Sequence, residues 1–157
     1  MALDKSEKRD EDLALDVPRA AGASSGNAHP KTPIEYLEWK ISSWNGKHNL
    51  SVFDPRALDH YRAFFSEPER VHATCEDYRA GQSTDLAHDD ADFAAEKKIA
   101  CPMLVLWGAT GILAGTNPLD IWKRWASDVK GMSIESGHFL AEENPEATVK
   151  ALTEFFG

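Results

Sequence analysis

Few cysteines and a deficit of basic charge limit what this 157-residue sequence can do. Its two cysteines, Cys75 and Cys101, are too far apart for a C-x-x-C metal or redox motif and too few for a disulfide framework. The 17 Lys and Arg residues against 26 Asp and Glu residues give a formal net charge of -9, whereas nucleic acids and anionic membranes bind basic faces. We therefore expect small molecules or proteins as partners, no nucleic acid, no membrane, and a reducing, cytoplasmic location.

Long apolar runs are also missing, and no stretch approaches the length of a membrane span. Residues 1–31 are rich in charge, Ala, Gly, Ser and Pro, which predicts a disordered N-terminal segment unrelated to the folded part. Within it, residues 22–26 have the spacing of a G-x-S-x-G nucleophile elbow. Because that elbow needs a buried strand before it and a helix after it, a flexible linker is favoured over a catalytic Ser24.

Residues 32–100 contain four signals for the start of a helix, each followed by apolar residues at helical spacing. The signals are Thr32-Pro33, Asp54-Pro55, Ser66-Glu67-Pro68 and Thr84-Asp85. The first is a capping box with Pro at the first helical position and Glu35 as its carboxylate. We expect the fourth helix to end at the basic pair Lys97 and Lys98, as the helix macrodipole favours.

The pattern changes in residues 101–157, where the apolar run 103–107 predicts a strand buried on both faces of a parallel sheet. A helix from Asn117-Pro118, a strand over 132–136 and a last helix from Pro145 follow. The residues expected to face inward on the two helices are Leu119, Trp122, Trp125 and Val129, then Val149, Leu152 and Phe156. Because two parallel strands make a poor independent sheet, the predicted fold class is α/β, as the back half of a larger fold.

The loop between the second strand and the last helix carries His138, directly after Gly137. In an α/β protein this loop lies at the carboxyl edge of the parallel sheet, where ligands bind. Two interpretations are open, a loop histidine satisfied by the backbone and a general base that reaches into a site.

Two other patterns are weaker indications of a site. The glycines at 108 and 111 follow a strand but lack the spacing of a phosphate-binding loop. The acidic run beside His88 is more typical of a solvated helix start than of a metal site.

Six collinear motifs between residues 33 and 157 make the sequence resemble the haloacetate (fluoroacetate) dehalogenases of the α/β-hydrolase superfamily. They are SSW at 42–44, FDPRALDHYRAFF at 53–65, CEDYRAG at 75–81, CPMLVLWGATGI at 101–112, PLDIWKRWASDV at 118–129 and IESGHFLAEENPE at 134–146. The resemblance implies a partial α/β-hydrolase fold, with a helical cap region at 32–100 and the C-terminal part of the core at 101–157. It also implies that His138 is the catalytic histidine, that Tyr78 binds halide and that Trp44 lines the substrate tunnel.

The same resemblance implies a small haloacid substrate, no cofactor and a homodimer through the cap region as one option. The family's nucleophilic Asp, its neighbouring Arg, its oxyanion turn and the acid that orients the histidine have no counterpart in these 157 residues. The alternative acid position after the first strand reads Gly108-Ala109-Thr110-Gly111, without a carboxylate. Two hypotheses follow: a truncated hydrolase that is inactive alone, and a non-enzymatic binding or regulatory module that retains the cap helices.

Overall fold

The structure, a computed structural model, describes residues 31–157. The predictions made for the N-terminal segment, including the elbow-like spacing around Ser24, lie outside the described residues. None of the helices within 31–157 is long and apolar enough to cross a membrane.

Four α-helices occupy the region where four helix starts are predicted. They are α1 (Pro33–Trp44), α2 (Pro55–Phe65), α3 (Pro68–Ala80) and α4 (Thr84–Ala94), with a 3-10 turn at Leu50–Val52 between the first two. At α1 the Glu35 amide donates to Thr32 Oγ1 at 3.2 Å, and the Glu35 carboxylate accepts from the Lys31 amide at 2.7 Å. The capping prediction is thus confirmed, although the carboxylate reaches one residue further back than a capping box requires.

The predicted end of α4 is wrong, because the helix stops at Ala94, before the two lysines. Glu96 takes a left-handed conformation with φ of 53°, its amide donates to the Phe93 carbonyl, and the Lys97 amide donates to the Asp92 carbonyl at 3.0 Å. This pair of bonds is a Schellman motif, which normally uses Gly at the left-handed position. A Glu in that place hides the stop signal from sequence reasoning.

Two parallel strands follow, β1 (Met103–Gly108) and β2 (Val129–Ile134), paired from Met103 with Val129 to Gly108 with Ile134. The short helix α5 (Pro118–Trp122) connects the strands and packs against both. Its start is capped as predicted, since Asn117 Oδ1 accepts from the Leu119 amide at 3.3 Å. The predicted order β-α-β is therefore confirmed, and so is the α/β class.

The predicted bounds of this unit need two corrections. The second strand runs over 129–134 rather than 132–136, because the Ser136 carbonyl turns to accept bonds from both the amide and the hydroxyl of Thr110 at 3.0 Å. Helix α5 spans only five residues, so Trp125 lies beyond it and packs on Phe93 at 5.5 Å between ring centroids. Val129, expected on the helix, is the first residue of β2.

The burial predicted for the sheet and the last helix is also wrong. Residues Met103 to Trp107 are half-buried rather than buried on both faces, because helices must cover both faces of a parallel sheet and the five-residue α5 is the helix that packs against both strands among the described residues. Two helices end the chain, α6 (Leu140–Glu143) and α7 (Pro145–Phe156). On α7 the expected inward residues Val149, Leu152 and Phe156 are 60%, 39% and 78% exposed, and the buried residues are Thr148 and Ala151.

The described residues form two compact units. One unit combines residues 31–40 with Pro55–Asp89, and its core is Tyr36 and Cys75, with Phe65 packed against them. The other combines Ile41–Asp54 with Asp90–Gly157 and contains the sheet. The predicted boundaries at residues 31 and 100 remain predictions.

The hydroxyl of Tyr36 is an unsatisfied polar group in the core of the first unit, as far as the described residues go. It is buried and has no hydrogen-bond partner among the described residues, and the residue is 2% exposed. Burial raises the pKa of Tyr36 above its ordinary value of 10.0, and the neighbouring Tyr78 and Cys75 raise it further. Because the unfolded chain ionises this phenol at lower pH than the folded chain does, folding stability must fall as the pH rises past 10.0.

We expect Tyr36→Phe to stabilise the protein, because it removes a buried, unpaired hydroxyl that costs about 1–3 kcal/mol. The difference from wild type should widen above pH 10.0, since the variant has no phenol to ionise at this position. Urea unfolding at neutral and alkaline pH measures both effects. A lower free energy of unfolding for the variant at neutral pH would show that the hydroxyl has a stabilising partner.

Candidate functional site

His138 lies in the loop between β2 and α6, four residues after the end of the strand. Its amide donates to the Trp44 carbonyl at 3.1 Å, and its exposed imidazole packs edge-on against the Trp44 ring with 4.9 Å between centroids. The Phe139 ring makes a second edge contact at 5.0 Å, and Phe139 in turn packs on the buried Phe53 at 5.5 Å. The fold thus brings together two of the three residues predicted for the site, His138 and Trp44.

A cavity of about 410 Å³ opens beside these two side chains. Its wall includes Trp44, Asn45, His48, Thr110, Ile112 and His138. A smaller cavity of about 130 Å³ also reaches His138, from the side of Leu106, Trp107 and Leu140. The larger volume is within the range of small-molecule sites, so the imidazole is accessible to a small ligand.

Two glycines, Gly137 and Gly108, allow the backbone segments around this cavity to touch. A Cβ on Gly137 would lie 2.3 Å from the Gly46 amide nitrogen and 2.7 Å from the Asn45 carbonyl carbon. A Cβ on Gly108 would lie 1.9 Å from the Gly137 carbonyl oxygen. The structure therefore requires glycine at position 137 for close backbone contact.

Asn45 is a structural member of the site that sequence reasoning missed. Its side chain is 1% exposed, and its amide group donates to the carbonyls of Ile41 at 2.8 Å and Asn49 at 2.7 Å. Its carbonyl oxygen accepts from the Lys47 amide at 3.0 Å. The Asn-Gly pair after α1 is a turn signal that could have indicated this loop.

Glu143 was missed as well. One carboxylate oxygen accepts from the amides of Gly46 at 2.8 Å and Gly137 at 2.9 Å, and the other accepts from the Phe139 amide at 3.0 Å. The bond to Phe139, four residues back at the start of α6, is the local contact that the sequence could have indicated. The bond to Gly46 spans 97 positions and leaves no local signal.

No carboxylate orients the imidazole within residues 31–157. The position after β1 is occupied by Thr110, whose hydroxyl donates to the Ser136 carbonyl. Among the described residues none makes a hydrogen bond with the ring nitrogens of His138. Nor does the described chain contain a group of three or more His, Cys, Asp or Glu side chains that could hold a metal. The imidazole can accept a proton, but its orientation rests on aromatic contacts.

Tyr78, the third predicted residue, belongs to the unit formed by residues 31–40 and Pro55–Asp89 and is not among the residues that line the cavities. Its hydroxyl accepts a hydrogen bond from the Lys40 ammonium group, which also lies 4.5 Å from the centroid of the Tyr78 ring. Because the hydroxyl is the acceptor in this bond, its own hydrogen is not used by Lys40.

The β-α-β unit with a His-bearing loop and a terminal helix matches a known structural class. A solved structure from Nostoc sp PCC 7120, provisionally described as an alpha/beta hydrolase, superposes with a TM-score of 0.76 and 38% identity over 95% of this chain. The chain belongs to the α/β-hydrolase superfamily.

Within that superfamily, the chain is similar to a fluoroacetate dehalogenase from Burkholderia sp, with 30% identity over 124 residues, or 78% of this chain. It is also similar to a soluble epoxide hydrolase from Corynebacterium sp. (strain C12), with 27% identity over 123 residues, or 77% of this chain. No family model matches the sequence.

The chain spans only part of the length of these proteins. It covers 40% of the dehalogenase, 41% of the epoxide hydrolase and 52% of the Nostoc structure. The relatives' full activities therefore come to this chain only as proposals.

We expect Gly137→Ala to destabilise the unit that contains the sheet by about 1–3 kcal/mol, because the added methyl group overlaps the backbone at Asn45 and Gly46. Urea unfolding followed by tryptophan fluorescence measures the change. Gly111→Ala is the matched control, since its Cβ would meet its nearest neighbours at 3.6 Å or more. Equal stability of the two variants would show that the backbone contact is not required.

Proposed function

We propose that this chain supplies the base-bearing part of an α/β-hydrolase active site that removes halogen from small 2-haloacids. The observation that carries the proposal is the position of His138, exposed at a cavity of about 410 Å³ with its ring against Trp44. The similarity to a fluoroacetate dehalogenase gives the substrate class. The proposed reaction needs a nucleophile from a complementary part, because residues 31–157 contain no nucleophile elbow with a strand before it.

In the proposed reaction a carboxylate of the complementary part attacks the carbon that bears the halogen. The carbon–halogen bond breaks, halide leaves with the electron pair, and an ester forms between the protein and the acid. His138 then takes a proton from a water molecule, whose oxygen attacks the ester carbonyl. The ester C–O bond then breaks, the departing alkoxide takes the proton from His138 to give the hydroxyacid, and loss of the carboxyl proton to solvent regenerates the carboxylate, with no cofactor involved.

The roles of the other two residues follow the family resemblance. Trp44 would line the path to His138, which its place in the cavity wall supports. Tyr78 would donate its phenolic proton to the departing halide. The bond that Tyr78 accepts from Lys40 supports this role, because the ammonium group adds positive charge beside the hydroxyl.

A second reaction is supported by the similarity to a soluble epoxide hydrolase. Opening of an epoxide by the same carboxylate and hydrolysis of the ester by the same histidine would use the chain in the same way. A different class of function, a binding or regulatory module that keeps the cap helices, is favoured by the missing orienting acid within the described residues.

The setting of the protein is also a proposal. Both cysteines are free, which supports a reducing cytoplasm. The formal net charge of -9 disfavours a nucleic-acid or membrane partner. A homodimer through the cap region would follow the family.

We expect the 157-residue chain to release no halide from fluoroacetate or chloroacetate by itself, because a base without its nucleophile cannot perform the reaction. Co-expression with the part of the Burkholderia dehalogenase that supplies the elbow should restore halide release. In that complex His138→Asn should lower the rate by about 10²–10⁴-fold, the usual contribution of a general base. A halide-selective electrode measures all three samples.

His88→Asn is the control, because His88 is exposed on α4 and is not among the residues that line the cavities. If the 157-residue chain alone releases halide and His138→Asn abolishes that release, the proposed inactivity of the chain alone is contradicted. A complex that forms but acts on neither haloacetates nor a simple epoxide would favour the binding module. Faster turnover of the epoxide would move the substrate assignment to the second reaction.

A further inference from the structure

We propose that Glu143 is a positioning residue for His138, and that its carboxylate holds the base-bearing loop against the loop that follows Trp44. The inference rests on the proposed role of His138 as the base. It adds a residue that the family resemblance did not assign and that is not itself among the residues lining either cavity.

The first argument is the number of donors that one side chain satisfies. Three backbone amides, those of Gly46, Gly137 and Phe139, point at the two carboxylate oxygens at 2.8 to 3.0 Å. An ionised carboxylate has only acceptor sites and can satisfy all three. An amide side chain of the same shape has one acceptor oxygen and would place its NH₂ group against at least one amide donor.

The second argument is where these amides lie along the chain. Gly137 and Phe139 are the two neighbours of His138, so the residues on both sides of the base donate their amides to the same carboxylate. Gly46 follows the loop residue after Trp44. Together with the bond from the His138 amide to the Trp44 carbonyl, the carboxylate fixes the base-bearing loop to the Trp44 loop.

The third argument is how the described residues hold the His138 ring. Within residues 31–157 its ring nitrogens make no hydrogen bond, and the ring is held by the Trp44 and Phe139 contacts. Those contacts depend on the relative position of the two backbone loops. A carboxylate that fixes the loops therefore acts on the imidazole without touching it.

Amide hydrogen exchange of the full 157-residue chain, measured by NMR, tests the bonds directly. In Glu143→Gln the amides of Gly46, Gly137 and Phe139 should exchange about tenfold faster or more, the loss expected for hydrogen bonds to a charged acceptor. The amides of the ladder between β1 and β2 should exchange as in wild type.

The histidine ring gives a readout that a purely structural role would not change. The ring nitrogen signals of His138, assigned with His138→Asn, should shift or broaden in Glu143→Gln. In Glu143→Ala, formate should restore both the slow exchange of the three amides and the His138 signals, because it supplies the missing carboxylate. Formamide, which carries no charge, should restore neither.

Glu135→Gln is the matched control, since it makes the same change at an exposed carboxylate in the same loop and should leave all signals unchanged. If the amides of the β1–β2 ladder also exchange faster in Glu143→Gln, the variant is destabilised as a whole and Glu143→Asp is used in its place. In Glu143→Asp the amides of Gly46, Gly137 and Phe139 should exchange at rates between those of wild type and Glu143→Gln. Wild-type exchange in either variant, or unchanged His138 signals despite faster exchange, would overturn the proposal. None of these readouts requires turnover, so they are independent of the complementation assay.

Discussion

Close contact between backbone segments at Gly137 is the constraint on which the rest of the site depends. The segment at 45–46, the end of β1 at Gly108 and the loop after β2 approach within distances that no Cβ could share. This contact puts the His138 amide on the Trp44 carbonyl and the imidazole on the indole ring. It also aligns three amide donors, and one carboxylate, that of Glu143, satisfies them.

Within residues 31–157 the site has a well hydrogen-bonded backbone and lacks an acid that orients the base. The loops around His138 have their amide donors satisfied by carbonyls and by a carboxylate, as buried polar groups require. The imidazole makes ring contacts with Trp44 and Phe139 and no hydrogen bond among the described residues, and Thr110 stands at the alternative acid position after β1. Because catalytic groups of this class act as a unit, the geometry supports a role for His138 only together with further groups.

The exposure of the sheet and of α7 also indicates that further groups belong with the described residues. The composition of β1 is that of a strand covered on both faces, yet its residues are half-buried, and the apolar side chains of α7 remain exposed. The superfamily relatives are about twice as long as the matched region or more. Apolar surface of this kind is what further strands or a partner would cover.

The sequence by itself determined the features that depend on neighbours within about four residues. Prolines and capping side chains marked where α1, α2, α3 and α7 begin, and the apolar run marked β1. The position of His138 after a strand was equally local. Only the tertiary structure decided the extent of β2, the inward face of α7 and the contact of Glu143 with Gly46, because each depends on segments far apart in the chain that meet on folding.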